Sequence, residues 1–168
     1  MAKCIFLDRD GVLNKEIGNY VFRIEDFEIE NGVTEALKIL KAAGFLLIVI
    51  TNQSGIAKGL YTRNEVKACH TILQNECGNI IDDLYFCPHH EDFDTASLLK
   101  KPNSLMLEKA IAKYQIDPSK SWMVGDQSRD ILAGKRVGLK TIYISKEKTD
   151  ALAEATCTSL LEATQFLY

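Results

Sequence analysis

The sequence of 168 residues has no excess of charge: 20 Lys and Arg stand against 23 Asp and Glu, a net −3 at neutral pH. A balance this close to neutral gives no electrostatic case for nucleic acid or for a membrane surface. No apolar run reaches the ~20 residues that a membrane-spanning helix needs. There is no internal repeat, low-complexity tract or linker, and no secretory or transit segment is expected ahead of the first strand. The cysteines, Cys4, Cys69, Cys77, Cys87 and Cys157, are scattered and odd in number. That pattern does not suit a disulfide framework and fits free thiols in a reducing compartment. These absences leave a soluble, cytoplasmic, monomeric protein of one domain, residues 1–168. Its 46% hydrophobic content is enough for a packed core.

Short apolar runs alternate with helical periodicity. Cys4–Leu7 reads as a buried strand, Phe45–Ile50 as a second, Leu84–Cys87 as a third, Trp122–Val124 as a fourth and Thr141–Ile144 as a fifth. Between them, Val33, Leu37 and Leu40 recur at helical spacing, and Gly44 closes that helix. Thr62 to Glu65 is a capping box, and the helix after it carries Val66, Cys69 and Leu73 on one face until Gly78. Leu107, Ala110, Ile111 and Tyr114 mark a third helix. Ile131, Leu132 and Val137 mark a fourth, and Ser159 to Glu162 opens a short last one. Residues 15–31 read as a turn with a short extended piece, and 88–102 as a loop. Strand–helix alternation of this kind predicts an open parallel α/β sheet, Rossmann-like, flanked by helices. In such sheets the ligand sits at the carboxyl ends of the strands.

The chemistry-bearing residues collect there. The first strand ends in Asp8 and Asp10, two carboxylates two residues apart, followed by Gly11. Two anions at the end of a buried strand repel each other and resist desolvation, so the pair calls for a cation or for chemistry that needs it. Thr51-Asn52-Gln53 follows the second strand, Lys101-Pro102 closes the long loop, and Asp126 follows the fourth strand with Asp130 one helical turn on. Taken singly, each piece has an ordinary reading. A carboxylate after a strand caps a turn, Thr-Asn makes a turn, a lone lysine is a solvated charge, and Asp126 and Asp130 favour a helix N-terminus. The four together, in this order and each at a strand end, point to one site.

This set resembles the haloacid dehalogenase-like (HAD) phosphatases over roughly residues 3–145. Asp8-Arg9-Asp10-Gly11 with Asn14, then Thr51 to Ala57, then Cys87-Pro88-His89-His90 is similar to the branch of D-glycero-D-manno-heptose-1,7-bisphosphate 7-phosphatase, with the histidinol-phosphate phosphatase domain a near relative. The resemblance implies a HAD-type fold without a large cap domain, and no insertion between Asn14 and Gly32, or between Ser54 and Lys101, is long enough for one. It implies that Asp8 is the nucleophile that forms an aspartyl-phosphate and that Asp10 is the general acid–base. It implies Mg²⁺ held by the side chains of Asp8 and Asp126 and by the backbone carbonyl of Asp10, with Asp130 supporting from behind. Thr51 and the amide of Asn52 hold phosphate oxygens, with Gln53 in the same loop. Lys101 offsets the charge that develops in phosphoryl transfer. The resemblance also implies that Asn14, Tyr20, Lys58 and Lys100 complete the substrate-facing set and that the substrate is a small-molecule phosphate ester.

Three departures from that branch stand out. Its members often carry a zinc loop, but Ser97 and Leu99 occupy the positions of the second cysteine pair. Structural zinc wants four good ligands, so none is expected, and packing of Phe93, Leu98 and Leu99 should hold the loop instead. Lys58 and Lys100 replace frequent arginines, and Gln127 a frequent lysine, all at the rim where specificity is decided. The expected activity is removal of the 7-phosphate from a heptose 1,7-bisphosphate. The alternatives are histidinol phosphate or another small phosphate ester, a polynucleotide 3′-phosphatase, and a phosphate-binding protein without catalysis. The acidic balance and the lack of a basic, aromatic-rich face argue against the polynucleotide.

Overall fold

The computed structural model describes residues 1–167. Six strands, β1 (Cys4–Leu7), β2 (Leu46–Asn52), β3 (Asp83–Cys87), β4 (Trp122–Gly125), β5 (Lys140–Ile144) and β6 (Ala155–Cys157), form a single sheet. Every pairing is parallel, in the order β3-β2-β1-β4-β5-β6. The helices are α1 (Val33–Ala42), α2 (Arg63–Cys77), α3 (Leu105–Tyr114), α4 (Ser128–Arg136) and α5 (Leu160–Ala163).

Alternation along the strands builds two cores. Ile5, Leu7, Leu47, Val49, Trp122 and Val124 face α1, α2 and α5, where Leu37, Leu40, Cys69, Leu73 and Leu160 meet them. Cys4, Phe6, Ile48, Ile50 and Met123 face α3 and α4, against Met106, Leu107, Ala110 and Ala133. Both faces are covered, which is why β1 and β2 read as unbroken apolar runs. From β1 the chain winds outward to β2 and β3, then returns to place β4 on the other side of β1. That reversal opens a crevice above the end of β1, where ligands of such sheets bind.

Several expectations need correction. A sixth strand, β6, extends the sheet at its edge; three residues of Ala-Thr-Cys carry no periodicity to announce it. β2 runs through Thr51 and Asn52, which pair with Phe86 and Cys87, so both lie on the strand rather than in the loop after it. In α4 the buried face is Asp130, Ile131, Ala133 and Gly134, while Leu132 is 39% exposed. The helix lies so close to the sheet that a Cβ on Gly134 would come within 2.8 Å of Met123 and 2.9 Å of Thr141. Small residues therefore make the contact, and the leucine turns outward. Phe93 and Leu98 are 58% and 68% exposed and do not hold their loop by packing; only Leu99 is partly buried. Polar contacts do that work. Asp94 accepts from the amides of His90 (2.8 Å) and Thr95 (2.7 Å), and its other oxygen meets Nδ1 of His89 at 2.7 Å.

Candidate active site

β1 delivers Asp8 to the crevice. Its backbone amide still pairs with Val124 of β4 at 2.9 Å, so the strand carries the residue to the crevice without a loop between them. The carboxylate is buried: Oδ1 accepts from the amide of Arg9 at 2.7 Å and lies 2.9 Å from Nζ of Lys101. Lys101 is 1% exposed, and its ammonium has three oxygen neighbours: Asp8, Asp130 at 2.7 Å and the carbonyl of Ile50 at 2.7 Å. One hydrogen bond and two close ion pairs compensate the buried ammonium. Burial alone would lower the Lys101 pKa, but the carboxylates of Asp130 and Asp8 raise it, so the side chain stays charged. Asn52 fixes the backbone of Lys101 from both sides. Its Oδ1 accepts from the Lys101 amide (3.0 Å) and its Nδ2 donates to the Lys101 carbonyl (3.1 Å). The Asn52 side chain thus positions the lysine.

β4 and the start of α4 supply the other two carboxylates. Asp130 is fully buried; its Oδ2 accepts from the amide of Gln127, and together they form the capping box of α4. Gly125 makes room for it, since a Cβ there would sit 2.2 Å from that of Asp130. Asp126 accepts from its neighbour Gln127 at 3.2 Å, while its Oδ1 is buried with no partner among the described residues. Gly11 passes directly over Asp126: its φ is +83° and a Cβ would lie 2.3 Å from Oδ2. Both the left-handed backbone and the close approach therefore require glycine.

One carboxylate oxygen from each of Asp8, Asp126 and Asp130 lies within 4.8 Å of the others. A single ammonium faces three carboxylates. Burial, reinforced by Asp130, pushes the Asp8 pKa up to about 7. Burial, reinforced by Asp8, pushes Asp126 up to about 6. The site is short of positive charge, and its unpartnered oxygen and all-carboxylate donor set suit a hard divalent cation such as Mg²⁺. Asp130 is closer to that cluster than a supporting position implies, although Lys101 claims its Oδ1.

Asp10 stands apart from the three. Its Oδ1 accepts from Arg9 (Nη2, 2.9 Å; Nε, 3.3 Å) and from Asn14 Nδ2 (3.0 Å). Its Oδ2 accepts from Arg9 (3.2 Å) and from Gln53 Nε2 (3.0 Å). Asn14 is fully buried and spends its amide on Asp10 and the Lys15 carbonyl, so it positions Asp10 and does not face the opening. Gln53, also buried, donates to both Asp10 and the hydroxyl of Thr51 (3.0 Å). Arg9 passed unassigned in the sequence, yet it is a buried guanidinium that grips Asp10, donates to the carbonyl of Val21 and lies 5.5 Å from the Phe27 ring centroid. Its place between the two aspartates was its only signal.

A cavity of about 490 Å³ opens on Asp10 and is lined by Asn19, Tyr20, Ser54, His90, Lys100 and Arg129, among others. Lys100 is held 2.5 Å from Glu91. Lys58 lies 5.4 Å from the centroid of Tyr20 and 5.3 Å from that of Phe93. Burial would raise the Tyr20 phenol, but hydrogen bonds from Lys58 and Ser54 bring its pKa below the ordinary value. Arg129 was not anticipated. It is exposed and forms no ion pair among the described residues, although the first turn of α4 is where a helix dipole disfavours a cation. Gln127 turns away from this cavity toward Asp126.

A parallel sheet with an Asp-x-Asp at the end of a central strand, a lysine beside the first aspartate and further carboxylates just after the neighbouring strand and in the helix that follows defines a HAD-like hydrolase. The HAD-hydrolase-like family model matches residues 98–163. The chain is 40% identical over 147 residues to the D-glycero-β-D-manno-heptose-1,7-bisphosphate 7-phosphatase of Haemophilus ducreyi, covering 83% of this chain and 80% of that one. It is 41% identical over 152 residues to the D-glycero-α-D-manno-heptose-1,7-bisphosphate 7-phosphatase of Photorhabdus laumondii, covering 86% and 82%. Among solved structures, the D,D-heptose 1,7-bisphosphate phosphatase of B. bronchiseptica, complexed with magnesium and phosphate, superposes with a TM-score of 0.88 at 25% identity. It covers 98% of this chain and 97% of that one. The chain belongs to the D-glycero-D-manno-heptose-1,7-bisphosphate 7-phosphatase family.

Proposed function

We propose that this chain hydrolyses the 7-phosphate of D-glycero-D-manno-heptose 1,7-bisphosphate with Asp8 as nucleophile. The observation that carries the reading is the cation-deficient cluster of Asp8, Asp126 and Asp130 around Lys101, next to a cavity with a cationic rim, in a chain about 40% identical to phosphatases of that name. Asp8, Asp126 and the backbone carbonyl of Asp10 are the expected holders of a Mg²⁺ ion, with Asp130 behind them. When bound, the ion neutralises the repulsion between the Asp8 carboxylate and the phosphate and polarises the phosphoryl group.

Asp8 attacks phosphorus and the ester P–O bond breaks. The departing sugar oxygen takes a proton from Asp10, leaving an aspartyl-phosphate on Asp8. A water molecule then gives a proton to Asp10 and attacks the phosphorus, releasing inorganic phosphate and restoring the Asp8 carboxylate. The hydroxyl of Thr51 accepts from Gln53, so its own proton is free for a phosphate oxygen. Lys101 meets the charge that develops on the phosphoryl group. At the rim, Tyr20, Lys58, Lys100 and Arg129 face the sugar and its second phosphate. A cavity of about 490 Å³ has room for a bisphosphorylated sugar.

The loop from Cys87 to Lys101 works without structural zinc in this reading. His89 is engaged by Asp94, and Leu99 offers no ligand atom. The protein acts as a single-domain, cytoplasmic monomer on a small molecule rather than on nucleic acid or a membrane. The deciding experiment measures phosphate release from both anomers of heptose 1,7-bisphosphate, from histidinol phosphate and from an aryl phosphate, for wild type and Asp8→Asn. Preference for a heptose bisphosphate, with turnover lost in the variant, is expected. Undiminished release by Asp8→Asn would end the proposal.

A further inference from the structure

One group in contact with this machinery has no part in the reaction as described: the phenol of Tyr61. The residue is 5% exposed, and its ring stacks on Phe22 at 4.9 Å between centroids, 11° from parallel. Gly55 lets it approach, because a Cβ there would lie 2.1 Å from Cε1 of the tyrosine. Its hydroxyl donates to Oε1 of Gln53 at 2.7 Å. We infer that Tyr61 is a positioning residue for the reaction, locking the amide of Gln53 so that Asp10 and Thr51 are held together in working geometry.

The chemistry of a primary amide carries the inference. Gln53 has two N–H donors, and both are used, one on Asp10 Oδ2 and one on Thr51 Oγ1, each at 3.0 Å. Turned over, the amide would aim its oxygen at the Asp10 carboxylate and leave Thr51 without a donor. Tyr61 favours the observed orientation, because in the flipped one its oxygen could still accept but its buried O–H would lose the acceptor it has in Gln53. Burial, the largest influence on it, pushes the phenol well above its ordinary pKa, so it remains a donor at neutral pH. Gln53 links the group that moves the proton to the hydroxyl that faces the phosphate, and Tyr61 sets the angle of that link.

The inference rests on Asp10 being the proton carrier, and the test separates the two. Tyr61→Phe keeps the ring and removes only the hydroxyl. Loss of one buried neutral hydrogen bond that orients a reacting group lowers kcat ~3- to 10-fold. KM and the thermal midpoint should stay near wild type. In a Gln53→Ala background the same change has no further effect on kcat, because the route through the amide is already gone. Gly55→Ala, which drives the ring off Gln53, reproduces the loss. A wild-type kcat for Tyr61→Phe, or an undiminished effect without Gln53, overturns the inference. Full activity of Asp10→Asn instead overturns the reading of Asp10 on which it stands.

Discussion

Replacing Asp8 by Asn should stabilise the metal-free protein, and by an amount that grows with pH. In the folded chain three carboxylates, Asp8, Asp126 and Asp130, share the single ammonium of Lys101. Burial raises the Asp8 pKa from 3.8 to about 7. A carboxyl whose pKa is higher folded than unfolded binds protons more tightly in the native state. Its stability contribution is complete below pH 4 and is lost as pH rises toward 7. Carrying the group across that interval costs on the order of 4 kcal/mol. The carboxylates with lowered values, such as Asp94 at about 2, act with the opposite sign and only in acid, where their stabilisation is lost as pH falls. His70, whose pKa burial lowers, acts with the opposite sign, but it is present in both proteins and cancels in the difference.

Urea denaturation in EDTA between pH 5 and pH 8 therefore isolates the effect. Asn keeps an oxygen for the Arg9 amide and for Lys101, and leaves Lys101 and Asp130 as a balanced pair. The lead of Asp8→Asn should grow by ~2.5 kcal/mol between pH 5 and pH 8, the part of the ~4 kcal/mol interval that lies in that window. Saturating Mg²⁺ should close the gap by raising wild type alone, since binding to the native state stabilises it. Equal stabilities at pH 8, or a gap independent of pH, would show that Asp8 is not the strained carboxylate this charge count makes it.

Gly11→Ala should weaken Mg²⁺ binding at least tenfold, seen by titration calorimetry, and cost ~1–2 kcal/mol of stability, because φ is +83° there and the new Cβ falls 2.3 Å from Asp126. Unchanged Mg²⁺ affinity would remove Asp126 from the ion. Arg129→Gln should lower kcat/KM for a heptose 1,7-bisphosphate ~10-fold, as loss of one charged contact does, and leave an aryl phosphate nearly unchanged. Equal losses on both would place Arg129 outside the recognition of the second phosphate. Metal analysis of protein purified without added zinc should find less than stoichiometric zinc; one equivalent would mean that Cys87, His89 and their neighbours form a site by rearranging.

The parts of this molecule that were legible in advance are those in which residue type and spacing carry the physics. Strands buried on both faces, such as Leu46–Asn52, cannot avoid reading as apolar runs, and the Thr62–Glu65 capping box marks the start of α2 to the residue. Asp8, Asp10 and Asp126 stood out because carboxylates at the ends of buried strands are costly unless used, and the structure brings Asp8 and Asp126 together in one cluster with Asp130. What stayed hidden is set by distance rather than by pattern. The face of α4 could not be assigned, because Gly134 brings it closer to the sheet than side-chain periodicity assumes. β6 is too short to have a period, and it is an edge strand whose pairing with β5 alone defines it. Phe93 and Leu98 looked like loop anchors by composition, yet the hydrogen bonds of Asp94 made burial unnecessary.

The same division explains why Arg9 and Tyr61 escaped, and why Asn14 and Gln53 were expected to face the substrate rather than to hold Asp10. A nucleophile announces itself by being an anion in a place that anions avoid. Arg9, Asn14, Gln53 and Tyr61 are ordinary buried polar residues; the first three donate to Asp10, and Tyr61 donates to Gln53. Asp10 accepts from three of them, and their worth lies in angles that no linear spacing encodes. In the proposed reaction Asp8 needs a cation to remain an anion, whereas Asp10 needs a rigid cage of donors so that it can release and regain a proton without moving. The two carboxylates of Asp-Arg-Asp are two residues apart in the chain, but they sit in different surroundings, and the side chain of Arg9 between them serves only the second. Its guanidinium is spent on Asp10 and Val21 while its backbone amide supports Asp8. The asymmetry of the pair is thus built into the residue that separates them.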